Sequence, residues 1–355
     1  MPLLDEYGWD DNWASVLARV GRSATSECGR VTAQSRDRWV VQLETGSCVA
    51  RIPSASFRGP TPVTGDWVLV EPGPSPRDPV SILDVLPRRS AISRGAAGSG
   101  TAEHVLAANI DVAWIVQGLD TPLNLRRIER YLAVSWESGA VPEVILTKAD
   151  LAADAAHAMR AVESVAVGIT VHVVSIEQLE SIQALRCSLK RGRTVALFGP
   201  SGAGKSTLIN AIAGENVAIA GAVREFDHKG RHTTTRRELF RIPGGALLLD
   251  TPGLRELRVR DLAEGLQHAF PEIAELSAAC RFRDCQHDVE PGCAVLAAVA
   301  LGTLVADRLA SFRKLRAEAA YAERKSDPLA RASAVARHRT ALKTMKHHPK
   351  YRSQD

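Results

Sequence analysis

The segment GPSGAGKST, at residues 199–207, constrains the fold of this chain more than any other part of the sequence. It fits the pattern G-x-x-x-x-G-K-[ST], follows the apolar run RTVALF and precedes the helix-like TLINAIAG. In this context glycines let successive backbone N–H groups turn inward around a phosphate, and the helix adds its positive end. The sequence therefore predicts a phosphate-binding loop that consists of Gly199, Pro200, Ser201, Gly202, Ala203, Gly204, Lys205, Ser206 and Thr207.

Two side chains of this loop are predicted to act on a bound nucleoside triphosphate. Lys205 reaches the β- and γ-phosphates, and the hydroxyl of Ser206 binds Mg²⁺. The loop does not by itself choose GTP over ATP, because the same segment suits a nucleotide kinase or a transporter ATPase.

The segment LLLDTPGL, at residues 247–254, reads as an apolar strand that ends in Asp250. We expect Asp250 to hold Mg²⁺ through water and the N–H of Gly253 to contact the γ-phosphate. That second contact is lost when the γ-phosphate leaves, so the loop that follows can move on hydrolysis. The pattern D-x-x-G is common, and its position after a strand downstream of the phosphate loop gives it weight.

The segment GRHTTTRREL, at residues 230–239, lies between these two motifs. A GTPase needs a threonine on this loop to complete the Mg²⁺ shell. Thr234 is the first choice, with Thr235 and Thr233 behind it. The alternative interpretation is a surface loop rich in hydroxyl side chains.

The segment VILTKADL, at residues 144–151, reads as a buried strand followed by a base-recognition signature. The carboxylate of Asp150 can accept guanine N1–H and N2–H₂ together, a donor pair that adenine lacks, so adenine would leave the charge unpaired. Lys148 is expected to lie along the base plane, and the VVSI segment supplies the loop beneath the base. The predicted base-binding residues are Thr147, Lys148, Ala149, Asp150 and Ser175.

The order of these motifs is inverted, since the base-binding segment precedes the phosphate loop. A parallel sheet permits this order, because the natural ends of such a domain can be joined and the chain cut elsewhere without changing the packed core. Strand and helix patterns alternate from residue 111 to 199, as expected for a parallel sheet with covering helices. The sequence therefore predicts a circularly permuted α/β P-loop GTPase domain.

Short β-like runs separated by turns precede this domain, between residues 18 and 94. They are CGRVTAQ, RWVVQLE, SCVARI, GDWVLVE and PVSILDVL. Five strands at this spacing predict an OB-fold β-barrel, an architecture that often binds oligonucleotides. With the flexible GAAGSG as a boundary, we expect an OB domain at 1–95, the GTPase domain at 96–262 and a third domain at 263–355.

The third domain contains the segment CRFRDCQHDVEPGC, whose spacing is C-x₄-C-x-H-x₅-C. Three thiolates and one imidazole make a closed tetrahedral Zn²⁺ shell, so we predict one structural zinc ion bound by Cys280, Cys285, His287 and Cys293. The alternative is a set of unligated surface cysteines. A long amphipathic helix is expected at about 295–324, which makes this an α-helical zinc-binding domain.

The remaining cysteines, Cys28, Cys48 and Cys187, are expected to be inert core thiols. The basic side chains of Arg281 and Arg283, on the cysteine-rich loop, can contact RNA phosphate.

Together these motifs resemble the ribosome small subunit-dependent GTPase A family. TKAD, the P-loop, GRHTTT and DTPG occur in that order, between an OB-like N-terminus and a cysteine-rich C-terminus, and the resemblance covers about residues 18–325. It implies a GTPase that acts late in maturation of the small (30S) ribosomal subunit and is stimulated by that subunit. Three positions depart from the family pattern: Thr147 replaces an Asn, VSI replaces a Ser-Ala segment after the third strand, and Phe312 replaces a Tyr.

The resemblance also implies low intrinsic turnover. Leu254 follows the D-x-x-G glycine where many GTPases place a glutamine that orients water, and leucine cannot do this. His232 is the candidate to orient water once the partner docks, and a loop-shaping hydrogen bond is its alternative role. The predicted catalytic residues are His232, Lys205 and Thr234, and Thr234 and Ser206 are the predicted magnesium ligands.

Charge and composition limit the cellular setting. The net charge is +5, and the segment from Arg331 to Asp355 has a single acidic residue, which favours a polyanion such as rRNA or a solvated tail. No apolar run approaches the ~18 residues of a membrane helix, and the acidic N-terminus does not resemble a secretory signal. We expect a cytoplasmic monomer whose partners are GTP or GDP with Mg²⁺, the small ribosomal subunit and its rRNA.

Three functional interpretations remain at this point. The first is a GTPase assembly factor whose OB and zinc modules grip rRNA. The second is a P-loop ATPase or nucleotide kinase with appended RNA-binding modules, and the third is an RNA-binding scaffold in which the nucleotide is only structural. A comparison of GTP and ATP binding discriminates the first two.

Overall fold

We describe a computed structural model of the chain, which forms two compact units. One comprises Met1–Ser93 with Val105–Leu257, and the other Arg94–His104 with Arg258–Asp355. The residues described are 2–20, 25–35, 37–53, 57, 59–73, 75, 78–94, 104–214, 237–250 and 262–326. Among these residues no helix is long and apolar enough to cross a membrane.

Two short N-terminal helices, which were not predicted from the sequence, open the first unit. They are α1, Pro2–Asp5, and α2, Asp11–Val20. The Asp10 carboxylate accepts a hydrogen bond from the Trp13 N–H at 2.8 Å and so caps the first turn of α2. The buried side chains of both helices pack with one face of the strands that follow, in a cluster formed by Leu4, Trp13, Leu17, Cys28, Trp67, Leu69 and Leu86.

Five strands form the predicted N-terminal barrel. They are β1 Glu27–Ser35, β2 Arg38–Leu43, β3 Gly46–Arg51, β4 Trp67–Glu71 and β5 Val80–Val85. The strand order is β1-β2-β3-β5-β4, and pairing of β4 with β1 closes the sheet on itself. Inward-facing side chains such as Val31, Val41 and Ile82 are fully buried. The closed five-stranded sheet confirms the OB-fold prediction.

The central sheet continues from this barrel, because its edge strand β12, Arg237–Arg241, pairs antiparallel with β1. Its strands are β8 Val112–Gly118, β9 Val141–Thr147, β10 Val171–Val173, β11 Thr194–Phe198, β12 Arg237–Arg241 and β13 Leu247–Asp250. They lie in the order β10-β9-β8-β11-β13-β12, and all neighbours are parallel except β12 and β13. A further pair, β6 Ala91–Arg94 and β7 His104–Ala108, forms a separate two-stranded sheet.

Helices alternate with the parallel strands as expected. They are α3 Leu125–Glu137, α4 Ala155–Glu163, α5 Leu179–Ser188 and α6 Lys205–Ala213, with a 3₁₀ turn at Ala149–Leu151. Every residue of β11 is buried, as expected for a parallel strand covered on both faces. Helix α4 begins at Ala155 because Asp154 caps it, accepting a hydrogen bond from the His157 N–H at 2.8 Å.

The strand order explains how an inverted chain builds one site. The chain runs outward through β8, β9 and β10, returns through α5, and inserts β11 on the other side of β8. Parallel strands end at one edge of a sheet, so the loops after β9 and β11 emerge together, beside the point where the strand order reverses. Ligands of open α/β sheets bind at such a point.

The described part of the second unit contains helices only, beyond its share of β6 and β7. These are α7 Ala263–Ala269, α8 Pro271–Ser277, α9 Ala294–Ala300 and α10 Ala306–Ser326. The prediction of a single helix at 295–324 is wrong, because α9 and α10 are separate helices. Gly302 adopts a left-handed φ of 75°, and the N–H groups of Thr303 and Leu304 turn back to the carbonyl of Ala298.

The prediction of three core thiols is also partly wrong. Cys28 is buried and Cys48 is half-buried, whereas Cys187 is exposed on α5. The buried side chains of α5 are Ile182 and Leu185, so the face that this helix buries does not include Cys187.

One buried arginine joins four segments of the first unit. Arg30, on β1, has only 2% of its surface exposed. Its guanidinium donates hydrogen bonds to the carbonyls of Tyr7, Gly65 and Asn109 and to the hydroxyl of Thr194. Burial lowers the pKa of Arg30 to about 10, so the group stays charged at neutral pH. The side chain therefore ties the N-terminal helices and the barrel to the start of β11.

We expect replacement of Arg30 by Ala to lower the free energy of unfolding by about 3–5 kcal/mol, because buried acceptors lose their donor. Denaturant unfolding measures this effect. Arg38→Ala is the matched control, since Arg38 is an exposed arginine on β2, and we expect it to change stability by less than about 0.5 kcal/mol. Equal stability of the two variants would contradict the role of Arg30.

Candidate functional site

The phosphate-binding loop lies where β11 passes into α6. Gly199 has a φ of +145°, and a Cβ at this position would lie 2.3 Å from the carbonyl oxygen of Val116, so only glycine fits. The ammonium of Lys205 lies over the loop and donates to the carbonyls of Gly199 and Pro200 at 2.8 and 2.7 Å. The loop is therefore curled around the lysine that the sequence assigned to the phosphates.

The first turn of α6 presents polar groups to solvent at this edge. Gly204 precedes the helix with a left-handed φ of 87°, and the side chains of Ser206 and Thr207 are exposed on the first turn. The first N–H groups of a helix have no partner within it and carry partial positive charge. This arrangement suits an anion and leaves the Ser206 hydroxyl accessible to a metal ion.

Thr147 links the base-binding strand to the phosphate loop. Its side chain is buried, and its hydroxyl donates to the carbonyl of Ala203 at 2.6 Å. A second, longer contact of 3.4 Å reaches the carbonyl of Gln117 at the end of β8. At this position, where the family pattern has an asparagine, the threonine thus joins the ends of β8 and β9 to the loop after β11.

Lys148 makes a second link between the base-binding segment and the phosphate loop. The residue has a left-handed φ of 58°, an uncommon conformation for a residue with a side chain. Its ammonium donates to the carbonyl of Gly202 at 2.8 Å and to the carboxylate of Asp120 at 2.6 Å. The TKAD segment and the P-loop therefore lie within hydrogen-bonding distance of each other despite their inverted order in the chain.

Asp150 is held by a serine on the loop after β10. The Ser175 hydroxyl donates to the Asp150 carboxylate, which is otherwise exposed. Ser175 is itself buried and fixed by Ser181, whose hydroxyl accepts from the Ser175 N–H at 3.1 Å and donates to its carbonyl at 2.9 Å. The carboxylate is thus oriented at the edge of the sheet, and the N–H of Ala149 bonds to the Val174 carbonyl beneath it.

Two residues of this region, Asp120 and Ser181, were not predicted from the sequence. Asp120 follows β8, the strand between β9 and β11, so an acidic residue just past that strand was the available signal. Ser181 had no signal, because its contact with Ser175 depends on how α5 begins.

The structure describes only part of the triphosphate end of the site. Asp250 is the last residue of β13, and the neighbouring Leu249 pairs with Ala196 of β11, so its backbone lies at the same edge of the sheet. The predictions for Gly253, His232 and the Thr233–Thr235 segment fall outside the described residues, as does the Asp250 side chain.

The second unit holds a cluster of metal-ligating side chains. The ligand atoms of Cys280, Cys285, His287 and Cys293 all lie within 4.8 Å of one another, so the four residues can hold a metal ion. Nδ1 of His287 is 3.4 Å from the sulfur of Cys293 and 3.7 Å from that of Cys280. Three sulfurs and one nitrogen match the donor set of a tetrahedral structural site.

A serine on α8 determines which nitrogen of His287 faces the sulfurs. The Ser277 hydroxyl donates to the Ile273 carbonyl at 2.6 Å, and its oxygen lies 3.0 Å from His287 Nε2. Since the hydroxyl proton is already used, Nε2 carries the hydrogen and donates it, which leaves the lone pair of Nδ1 for a metal. Burial lowers the pKa of His287 and favours this neutral imidazole.

Backbone amides near two of the cysteines favour the thiolate form that binds a cation. Burial opposes ionisation of Cys280, but hydrogen bonds from the N–H groups of Val295 and Ala294 lower the pKa of this thiol overall. Cys293 caps α9, and its sulfur accepts from the Leu296 N–H at 3.4 Å. Amide donors at a helix start favour the thiolate, which is the form that binds metals.

The long helix α10 supports the loop that carries the ligands. Arg313 donates to the His287 carbonyl and pairs with Asp288 at 3.0 Å, and Arg316 donates to the Gln286 carbonyl at 2.6 Å. The Phe312 ring lies 6.2 Å from the His287 ring, centroid to centroid. The phenylalanine that departs from the family pattern thus packs against a ligand.

The architecture and the nucleotide site define a circularly permuted P-loop GTPase with an N-terminal barrel and a Cys/His cluster. A family model described as RsgA GTPase matches residues 85–260. A small ribosomal subunit biogenesis GTPase RsgA of Streptomyces coelicolor is 45% identical over 93% of this chain and 90% of its own. The chain belongs to the RsgA GTPase family.

Two solved structures have a similar fold. YjeQ from Thermotoga maritima is 25% identical, with a TM-score of 0.62 over 82% of this chain and 97% of its own. YloQ, described as a circularly permuted GTPase, gives a TM-score of 0.59 at 22% identity over 84% of this chain and 97% of its own, which shows the shared fold.

We expect Ser277→Ala to weaken metal binding at the Cys/His cluster about 10-fold or more, with Zn²⁺ as the probe, because the imidazole loses the acceptor that fixes its tautomer. Competition with a chromogenic zinc chelator measures the affinity. Thr303→Ala is the matched control, since Thr303 also donates its hydroxyl to a carbonyl of this unit, that of Ala298 at 3.0 Å, without touching the cluster. Equal zinc affinity in the two variants would contradict the role assigned to Ser277.

Proposed function

We propose that this protein hydrolyses GTP during late maturation of the small ribosomal subunit, and that the subunit stimulates the hydrolysis. The hydrogen bonds from Thr147 and Lys148 to the phosphate loop carry this proposal, because they bring a guanine-selective loop and a phosphate-selective loop to one place. The relatives are named small ribosomal subunit biogenesis GTPases, which supplies the ribosomal context.

The nucleotide is held from both ends. At the base, the Asp150 carboxylate accepts the two guanine N–H groups while Ser175 keeps it in place. At the phosphates, the backbone from Gly199 to Gly204 and the Lys205 ammonium contact the anion. GTP is preferred over ATP because adenine would leave the carboxylate without its donors.

Magnesium completes the triphosphate end. Ser206 and Thr234 are the proposed ligands, and Asp250 acts through water. Bound Mg²⁺ supplies charge neutralisation on the phosphate oxygens. The exposed Ser206 hydroxyl at the start of α6 supports this assignment. We propose that Gly253 contacts the γ-phosphate and that Thr233 and Thr235 are alternatives to Thr234.

Catalysis is proposed to depend on the partner. Leu254 offers no hydrogen bond to water, so the chain alone turns over slowly. His232 orients the attacking water when the subunit is bound, and Lys205 and Thr234 act on the phosphates and the metal ion.

Zinc is the proposed metal of the Cys/His cluster, with one ion per chain. Three thiolates with one imidazole favour Zn²⁺ over hard cations. With all four positions filled by protein ligands, the ion stabilises the fold of the loop and has no place for a substrate.

Ribosomal RNA is the proposed binding partner of the N-terminal barrel and of the loop that carries the Cys/His cluster. The barrel has the OB architecture, and the exposed Arg281 and Arg283 lie on the cluster loop. The basic segment from Arg331 to Asp355 adds positive charge. We further propose a cytoplasmic monomer with domains at 1–95, 96–262 and 263–355.

We expect small ribosomal subunits to raise the rate of GTP hydrolysis about 10²-fold or more over that of the protein alone. The reason is that His232 is proposed to orient the attacking water only in the complex. Phosphate release measures the rate. Lys205→Ala is expected to abolish hydrolysis under both conditions, and ATP is expected to be a poor substrate.

Large ribosomal subunits serve as the control for unspecific stimulation by RNA. The proposal fails if large subunits stimulate as well as small ones, or if ATP is hydrolysed as fast as GTP.

A further inference from the structure

An acidic residue next to the base-binding loop has a specific partner. Asp120 lies in the loop after β8, the strand that separates β9 from β11 in the sheet. Its Oδ2 is 2.6 Å from Nζ of Lys148, and both side chains are about one-third exposed, at 31% each. The Lys148 contact holds the pKa of the Asp120 carboxyl below its usual range, so the carboxylate is ionised at neutral pH.

Lys148 has two acceptors of different kinds. One is the carbonyl of Gly202 in the phosphate loop, and the other is the carboxylate of Asp120. A lysine ammonium is a compact charge on a flexible stem, so a single neutral acceptor fixes it poorly. The carboxylate adds a charge-assisted hydrogen bond, which is the stronger type.

A glycine leaves room for this carboxylate. A Cβ at Gly118 would lie 2.5 Å from Oδ1 of Asp120, while its next nearest neighbour, the Cα of Ala203, is 3.7 Å away. Gly118 pairs with Thr147 in the ladder between β8 and β9. The end of β8 thus has the space that the Asp120 side chain occupies beside Lys148.

We propose that Asp120 is a positioning residue of the guanosine site, which holds the Lys148 ammonium against the phosphate loop so that the lysine stem lies along the base. This inference rests on the proposed function, since it assumes that a guanine nucleotide binds between Asp150 and Lys205. Asp120 acts through Lys148 and touches neither the base nor the phosphates. The ammonium and the carboxylate carry opposite charges, so the pair has no net charge.

A double-mutant cycle on nucleotide affinity tests the proposal. We expect Asp120→Ala to weaken binding of a fluorescent GDP analogue about 3- to 10-fold, with the same loss for a GTP analogue because the base is common to both. In a Lys148→Ala background the same change is expected to alter affinity less than about 2-fold, or to restore it in part, because the removed carboxylate then has no ammonium to hold.

A steric variant tests the placement without removing the charge. Gly118→Ala is expected to push the carboxylate away from Lys148 and to weaken GDP binding by a factor similar to that of Asp120→Ala. In the Asp120→Ala background, Gly118→Ala is expected to have no further effect, since the clashing atom is gone. Unchanged GDP affinity of the Gly118→Ala single variant would contradict this placement of the carboxylate.

Asp154→Asn is the matched control, because it removes one negative charge from the same unit and leaves a residue that also caps α4. Thermal unfolding of every variant separates loss of affinity from loss of fold. Equal effects of Asp120→Ala with and without Lys148, or unchanged affinity in the single variant, would overturn the proposal. If the unmodified protein binds no guanine nucleotide, the proposed function fails instead, and the two failures are thereby distinguished.

Discussion

The hydrogen bonds between the loop after β9 and the loop after β11 are the interactions on which the nucleotide site depends. The Thr147 hydroxyl holds the Ala203 carbonyl at 2.6 Å and the Lys148 ammonium holds the Gly202 carbonyl at 2.8 Å. They connect segments more than 50 residues apart, and the base-binding segment precedes the phosphate loop in the chain. Because parallel strands end at one edge of the sheet, the circular permutation changes the connections between strands but preserves the site.

Rigidity around this site has two sources outside the motifs. Arg30 joins the barrel and the N-terminal helices to the start of β11, at the edge opposite the phosphate loop. Arg186 of α5, the helix of the return connection, donates to the carbonyls of Ile212 and Ala211 at the end of α6. A positive group at this end of a helix offsets its partial negative charge, so Arg186 stabilises the C-terminal end of α6.

Much of this architecture follows from local sequence patterns. The barrel strands, the parallel strands and the Cys/His spacing were predictable, because each pattern has a direct physical cause within a few residues. The N-terminal helices, the break at Gly302 and the exposure of Cys187 were not, since each depends on tertiary contacts or on one left-handed residue. Likewise, the sequence patterns predicted Ser175 and His287, but the serines that hold them, Ser181 and Ser277, are set by packing.

The most direct measurement is a change of base specificity that still requires the phosphate loop. An asparagine at position 150 matches the N1–H and C2 carbonyl of xanthine, so Asp150→Asn is predicted to shift the preference from GTP to XTP hydrolysis by on the order of 10²-fold. Adding Lys205→Ala to that variant is predicted to abolish XTP hydrolysis as well. An unchanged base preference, or XTP hydrolysis that persists without Lys205, would show that the two residues do not serve one nucleotide.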